Sequence, residues 1–253
     1  MTSSSEPGGR PPANSSLDPS PPSWQRLVAL SGVAFAVLLV FGWFLSGGNT
    51  PDYTATDQEW TDWADDNRSN SGIAAFLILL AGIALLHFAA TIRDVMESAE
   101  TTFPSAVQLA RVAFAGAVVG AAAIATAIVM VAAATSEGAD ADPVVSRAVA
   151  GAASAGPYLV AAMGFAALLG AAGLLTLRSG VFPRWTGIVA LIGAVAFLIT
   201  FLTVIAGTGE DSVFGYGFLP GILALVIWST ATSIATYRAV ATTGRGLGDK
   251  TAP

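Results

Sequence analysis

Few residues in this chain have side chains that could do chemistry, and they are far apart in the sequence. The 253-residue sequence has one histidine, His87, and no cysteine. This composition excludes disulfide frameworks, thiolate catalysis, zinc–cysteine sites and multi-histidine metal sites. Gly-x-Ser-x-Gly, paired intramembrane aspartates and a phosphate-binding glycine loop with lysine are also missing. We therefore predict a protein that is not an enzyme and has no cofactor-binding or metal-binding residues.

His87 is the first candidate functional residue, because it lies inside a long apolar segment. With Thr91 and Asp94 it forms an i, i+4, i+7 stripe along one face of the expected helix. Ionisable side chains within a membrane often mark ligand or ion pathways. Arg93 follows only six residues later, so a neutral imidazole bonded to a neighbouring helix or to interfacial water explains the residue equally simply.

The segment around Trp60 and Trp63 is the second candidate. Thr56 and Glu59 have the spacing of a capping box, which predicts a short helix from Asp57 to about Asp66. Both indole rings fall on one face of that helix, which favours a helix lying on the outer membrane surface at residues 57–66. Two alternatives are a cap over an external cavity and a weak divalent-cation site formed by Asp62, Asp65 and Asp66.

Arg111 is the third candidate, and its role depends on where its helix enters the membrane. If the span begins at Val112, Arg111 is an interfacial anchor whose guanidinium reaches the headgroups. If the span begins at Ala106, Arg111 is a buried cation that needs an anion. The first start leaves enough residues to cross the bilayer, and we prefer it.

The elements that hold these residues are membrane-spanning helices. Apolar side chains make up 54% of the sequence and charged ones 11%, whereas about a quarter of an ordinary soluble domain is charged. We predict an all-α fold, a polytopic transmembrane helical bundle with six spans. The spans lie at about Trp24–Leu45, Gly72–Ile92, Val112–Ala134, Ala155–Leu177, Trp185–Ala206 and Phe218–Tyr237.

The basic residues predict the orientation of this bundle. Nine of the eleven lie in the tails and in the loops 93–111 and 178–184, and only Arg68 and Arg147 lie in the opposite set of loops. Cytoplasmic loops are enriched in Lys and Arg, so both termini are expected in the cytoplasm of a multi-pass plasma-membrane protein. The net charge of −6 argues against a nucleic-acid partner.

The regions outside the spans give the domain organisation. Residues 1–23 are rich in Ser, Pro and Gly and predict a disordered cytoplasmic tail. Residues 24–238 form the six-helix transmembrane domain, and residues 239–253 form a flexible cytoplasmic tail. No carboxylate lies in the middle of a span, which argues against a coupled ion pump. A channel lined by Ser, Thr and carbonyl groups is still compatible with the sequence.

Small residues and prolines predict how the helices pack and end. Gly116 and Gly120 in the third span, with Gly164, Gly170 and Gly173 in the fourth, suit close contact between these two spans, with homodimerisation as the lesser alternative. The turn containing Gly180 and Pro183 should make the fourth and fifth spans antiparallel neighbours. Prolines near helix starts, Pro157 and Pro220, are expected in first turns, with a gate kink as the alternative.

Two motifs resemble those of a known group. They are Pro51-Asp-Tyr-Thr-Ala-Thr-Asp-Gln-Glu-Trp-Thr-Asp-Trp-Ala-Asp-Asp-Asn-Arg68, before the second span, and Phe182-Pro-Arg-Trp-Thr-Gly187, which opens the fifth. The sequence resembles uncharacterised six-helix integral membrane proteins of high-GC actinobacteria, a family of unknown function. The resemblance covers most of residues 24–240 and implies a plasma-membrane location and six helices. It implies no activity.

Two function hypotheses follow from these observations. The first is a non-enzymatic structural or partner-binding bundle in the lipid bilayer, with a protein partner or a second copy as its binding partner. The second is a small-solute transporter or channel, in which His87 and the helix at 57–66 form a gate or vestibule. A polar cavity that reaches His87 would favour the second hypothesis.

Overall fold

All regular secondary structure in the described part of the chain is helical. A computed structural model describes residues 28–46, 51, 55–101, 103–136, 143–202 and 213–243, and within these ranges it contains no strand. The predicted all-α fold is confirmed. The helices are α1 (Ser31–Leu45), α2 (Asp57–Glu97), α3 (Ala106–Ser136), α4 (Pro143–Ala155), α5 (Pro157–Ser179), α6 (Arg184–Phe201) and α7 (Val213–Thr243), with a 3₁₀ turn at Ser98–Thr101.

Most of these helices are long and apolar enough to span a membrane. Within the described residues, α2, α3, α6, α7 and the α4–α5 pair meet that condition, while the described part of α1 is a shorter apolar helix of 15 residues. The chain is therefore a membrane-embedded helical bundle. The predicted tail at 1–23 lies outside the described residues. In the predicted tail at 239–253, α7 continues to Thr243, and the remainder lies outside the description.

Among the described helices, six form a closed ring in which each helix contacts the next. The order around the ring is α1, α2, α3, α5, α6 and α7, and α7 contacts α1 again. Short connections such as Gly180–Pro183 make successive ring helices antiparallel. One end of the bundle, here called the basic end, has Arg93, Arg111, Arg178, Arg184 and Arg238 near its helix termini. The other, the acidic end, has residues 57–70 and α4.

Bulky side chains fill the interior of the ring. Phe88, Phe165, Phe197, Phe218 and Trp228 are each at most 2% exposed, and they come from α2, α5, α6 and α7. The ring centroids of Phe165 and Phe197 are 5.5 Å apart, and those of Phe197 and Phe218 are 5.9 Å apart. In a second contact, the centroids of Phe88 and Trp228 are 5.4 Å apart. The core is therefore a packed aromatic and aliphatic one over these positions.

Helices α3 and α5 contact each other through their backbones. A Cβ atom added to Gly116 would lie 2.5 Å from the carbonyl oxygen of Gly164, and one added to Gly164 would lie 2.7 Å from the carbonyl oxygen of Gly116. Gly120 faces Gly164 and the ring of Phe165 in the same contact. Glycine permits this approach because it has no side chain. The predicted packing of the third span against the fourth is confirmed, within one chain, for these three glycines. Gly170 and Gly173 lie against α6 instead.

The helix ends match the sequence at two of the three predicted positions. Gly180 ends α5 with φ of 68°, a left-handed conformation that suits glycine, and its N–H donates to the carbonyl of Thr176 at 3.0 Å. Pro157 is the first residue of α5, as predicted. The prediction for Pro220 is wrong, because α7 already begins at Val213 and places this proline inside the helix. Residues 213–217 extend the helix before the apolar segment begins.

Candidate functional site

Helix α2 is much longer than its membrane span. Its 41 residues give a length of roughly 61 Å, about twice the hydrocarbon thickness of a bilayer. The helix predicted at 57–66 is present, but it continues without a break into the apolar segment through Asn70, Ser71 and Gly72. Residues 57–70 therefore project along the helix axis beyond the predicted span, instead of forming a separate helix. Packing against α3 and α4 holds this extension in place.

The extension begins at the predicted capping box, which is confirmed. The Thr56 hydroxyl accepts a hydrogen bond from the Glu59 N–H at 3.3 Å, and the Thr56 N–H donates to Glu59 Oε2 at 2.7 Å. This backbone hydrogen bond and the hydroxyl of Thr56 lower the pKa of the Glu59 carboxyl below its ordinary value of 4.5. The capping box thus stabilises the first turn of α2 and defines where the helix begins.

Trp60 forms the centre of a small core at the acidic end. Its side chain is 2% exposed and packs with Ala134 of α3 and Ala150 of α4, while Trp63 lies against this cluster. The two indole rings meet edge to face, with centroids 5.7 Å apart. We call residues 57–70, α4 and the adjoining end of α3 the head. Both predicted tryptophan candidates are therefore part of the core of the head.

Arg147 of α4 ties that helix to the start of α2. Its guanidinium donates to Asp57 Oδ1 at 2.5 Å and lies 6.0 Å from the centre of the Trp60 ring. Ser146 beside it donates to the carbonyl of Ala134 at 2.8 Å. Neither α4 as a helix nor this role for Arg147 was predicted from the sequence. Pro143 at a helix start, with small or apolar residues at positions 146, 149, 150 and 153, was the available signal.

Two donors in the head are buried and have no hydrogen-bond partner among the described residues. They are the indole N–H of Trp63 and the Nε–H of Arg147. Buried donors of this kind are normally satisfied by protein or water.

The outer surface of the head is acidic. Carboxylates at Glu59, Asp62, Asp65 and Asp66 are exposed, and Asp62 accepts a hydrogen bond from the Gln58 amide at 2.8 Å. Across the described residues, no three histidine or carboxylate side chains come close enough together to hold a metal ion. The chemistry available to this surface is recognition of positive charge.

His87 and Thr91 lie far from the head. They are 24 or more residues from Trp63 along α2, which is at least about 36 Å of helix. His87 is exposed on the outside of the ring, and its Nδ1 donates to the carbonyl of Ile83 at 2.9 Å. Thr91 is half-buried, and its hydroxyl donates to the carbonyl of His87 at 3.0 Å. Neither side chain belongs to the aromatic core.

The exposed side chain of Arg111 contradicts the buried cation, and the interfacial anchor stays a prediction. Its helix begins at Ala106, the start that predicted a buried cation, yet its side chain is exposed. At this end Arg93 pairs with Glu97 of its own helix at 2.7 Å, and its guanidinium lies 5.6 Å from the centre of the Phe114 ring on α3. The structure brings the tryptophan candidates together and leaves His87, Thr91 and Arg111 at the opposite end.

Buried hydroxyl groups on α7 are the described feature most relevant to a channel. They belong to Ser229, Thr232, Ser233 and Thr236. Thr232 and Thr236 donate to carbonyls one turn earlier, at 2.7 and 2.9 Å, and Ser233 donates to the carbonyl of Ala29 beside α1. These hydroxyls therefore satisfy backbone carbonyls and join the N-terminal side of α1 to α7.

Comparisons with known proteins give no match: no family model, no curated protein and no solved structure is similar to this chain. The resemblance to actinobacterial six-helix membrane proteins therefore stays a prediction.

Proposed function

We propose that this chain is a non-enzymatic plasma-membrane protein whose bundle holds the acidic head for binding to a protein partner. The observation that supports the proposal is the continuity of α2, a single helix of 41 residues that runs from the head into the bundle. A binding surface on one rigid helix keeps its position relative to the membrane. The exposed carboxylates of the head fit a partner that presents a basic surface.

The arginine distribution supports an external head in this proposal. Arg93, Arg111, Arg178, Arg184 and Arg238 are near the basic end, which the positive-inside rule assigns to the cytoplasm together with both termini. The head then faces the outside of the cell, where its carboxylates meet extracellular partners.

The packed interior gives little support to the second hypothesis, a solute transporter or channel. The ring of Phe197 contacts those of Phe165 and Phe218 and so links α5, α6 and α7 through buried aromatic side chains, and His87 is exposed on the outside of the ring. A pathway through the ring would have to displace these side chains. We therefore retain only the partner-binding function.

Photo-crosslinking in native membranes tests the proposal. A photoreactive amino acid replaces Asp65 on the head, and a control variant carries it at Ile192, which is 59% exposed on the membrane-embedded α6. We expect a discrete protein adduct only at position 65. The adduct should disappear when Glu59→Gln, Asp62→Asn and Asp66→Asn are combined, because these changes remove charge and keep similar shapes.

Equal crosslinking at both positions, or an adduct that survives the three substitutions, would overturn this proposal. Resistance of α4 to limited proteolysis checks that the substituted head is still folded. Solute flux through the purified protein in liposomes would instead favour the channel.

A further inference from the structure

His87 interrupts an apolar surface on the outside of the ring. On the same outward side of α2, Ile83 is 54% exposed and Leu86 is 38% exposed. Ionisable residues within spans almost always face the bundle interior or a water-filled cavity, since hydrocarbon cannot satisfy them. An imidazole on this surface therefore needs a partner that comes from outside the ring.

The hydrogen bond made by Nδ1 determines what that partner must supply. A carbonyl oxygen only accepts, so the 2.9 Å contact with Ile83 requires the proton on Nδ1. In the neutral ring, Nε2 then presents a lone pair, and no residue in the described part of the chain donates to it. The missing partner is a hydrogen-bond donor.

Thr91 and Asp94 extend this acceptor character toward the end of the helix. The Thr91 hydroxyl uses its only proton on the carbonyl of His87, so its oxygen is left as an acceptor. The Asp94 carboxylate is exposed. Thr91 lies about 6 Å along the axis from His87 and about 4.5 Å from Asp94, all on one face. We call these three residues the acceptor stripe.

We propose that the acceptor stripe binds the primary ammonium headgroup of a membrane aminophospholipid, of the phosphatidylethanolamine type. The ammonium has three N–H donors and a positive charge, which match an imidazole lone pair, a hydroxyl oxygen and a carboxylate. The stripe ends beside Arg93 at the basic end of α2, where lipid headgroups meet the helix. This site is separate from the head and does not depend on its proposed function.

The single histidine makes a direct test practicable. The full chain, labelled with ¹⁵N-histidine, is placed in nanodiscs of phosphatidylcholine or of phosphatidylethanolamine mixed with phosphatidylcholine. Choline has the same charge as ethanolamine but no N–H group. We expect the Nδ1-protonated tautomer in both kinds of nanodisc. The Nε2 resonance in the nanodiscs that contain phosphatidylethanolamine should be shifted relative to its position in pure phosphatidylcholine. We also expect about fivefold enrichment of that lipid among the lipids retained by the protein.

Substitutions then locate the binding to the stripe. Asp94→Asn and Thr91→Val should each reduce both the Nε2 shift and the enrichment. Thr126→Val is the matched control, because Thr126 is exposed on a span and, like Thr91, donates to a carbonyl one turn earlier, that of Ala122 at 2.9 Å. It should leave both measurements unchanged.

Three results would overturn the lipid assignment. An Nε2 resonance that is identical in both lipids indicates water as the donor. A resonance that depends on the number of protein chains per nanodisc, and not on the lipid headgroup, indicates that a second copy of the chain supplies the donor. Enrichment that survives Asp94→Asn together with Thr91→Val indicates another lipid site. None of these results bears on partner binding by the head.

Discussion

The α3–α5 contact and the head are held together in opposite ways. In the α3–α5 contact, glycines bring backbone against backbone, with Gly116 and Gly164 at the closest point. In the head, side chains make the contacts, with Trp60 buried between α2, α3 and α4 and Arg147 bonded to Asp57. The difference follows from the solvent around each region, which is lipid for the bundle and water for the head. Lipid gives no hydrophobic drive for helix association, so close packing must hold the helices, whereas water favours burial of a large indole.

The largest effect on the stability of the whole bundle is expected when a carbon atom is added to the α3–α5 contact. Gly164→Ala puts a methyl group against the backbone of Gly116 and Gly120, which cannot move aside as a side chain can. We expect a loss of about 1–3 kcal/mol in the free energy of unfolding, measured by denaturant titration in detergent micelles. Gly82→Ala is the control, because a Cβ atom there meets nothing within 4 Å. An equal loss in both variants would contradict the contact.

Removing a side chain from the head should have an effect of similar local size, but it should be confined to the head and leave the bundle as a whole less affected. Trp60→Ala removes a side chain that is only 2% exposed. We expect the free energy of local unfolding of the head to fall by about 3 kcal/mol. Hydrogen exchange should then rise in α4 while the midpoint of bundle unfolding stays unchanged. Trp185→Ala, at a side chain that is 51% exposed, is the control. Loss of the whole bundle would show that the two regions are not independent.

Sequence patterns predicted the features that depend on neighbouring residues. The capping box at Thr56 and the helix end at Gly180 follow from local geometry, and both are present. The small residues at Gly116 and Gly120 indicated a face suited to close packing, and that face contacts Gly164. The head could not be predicted in this way. Its ion pair joins residues 90 positions apart, and α4 is too short and too weakly apolar to be recognised as a span.

The continuity of α2 is a second feature that the sequence concealed. Asn70, Ser71 and Gly72 are poor helix formers, and they favoured a break between the predicted head helix and the span. Contacts with α3 and α4 stabilise the helix on both sides of these residues, so packing outweighs local propensity. The same reason explains Pro220, which lies inside α7 although an isolated helix would avoid it.

A smaller effect on the stability of the head is expected from removing the ion pair between Asp57 and Arg147, which joins the start of α2 to α4. Asp57→Asn removes the charge that Arg147 contacts, but the Asp57 side chain is 64% exposed, so the pair should contribute only about 0.2–1 kcal/mol. Hydrogen exchange in α4 should rise modestly at low salt and not at high salt. Asp65→Asn, at an exposed position on the same helix, is the control. A salt-independent effect would mean that packing, and not charge, accounts for the contribution of Asp57.

The smallest effect concerns the pH dependence of the first turn of α2. The Glu59 pKa is lowered in the folded chain, so its capping contribution is fully present above the ordinary value of 4.5 and is lost as the pH falls through the lower, folded value. Amide exchange at residues 57–60 should increase below about pH 4 after correction for intrinsic rates. Glu59→Gln keeps a hydrogen-bonding side chain at this position and removes its charge, so its exchange should be flat with pH. If the variant shows the same pH dependence as the native chain, another carboxylate controls the fraying of this turn.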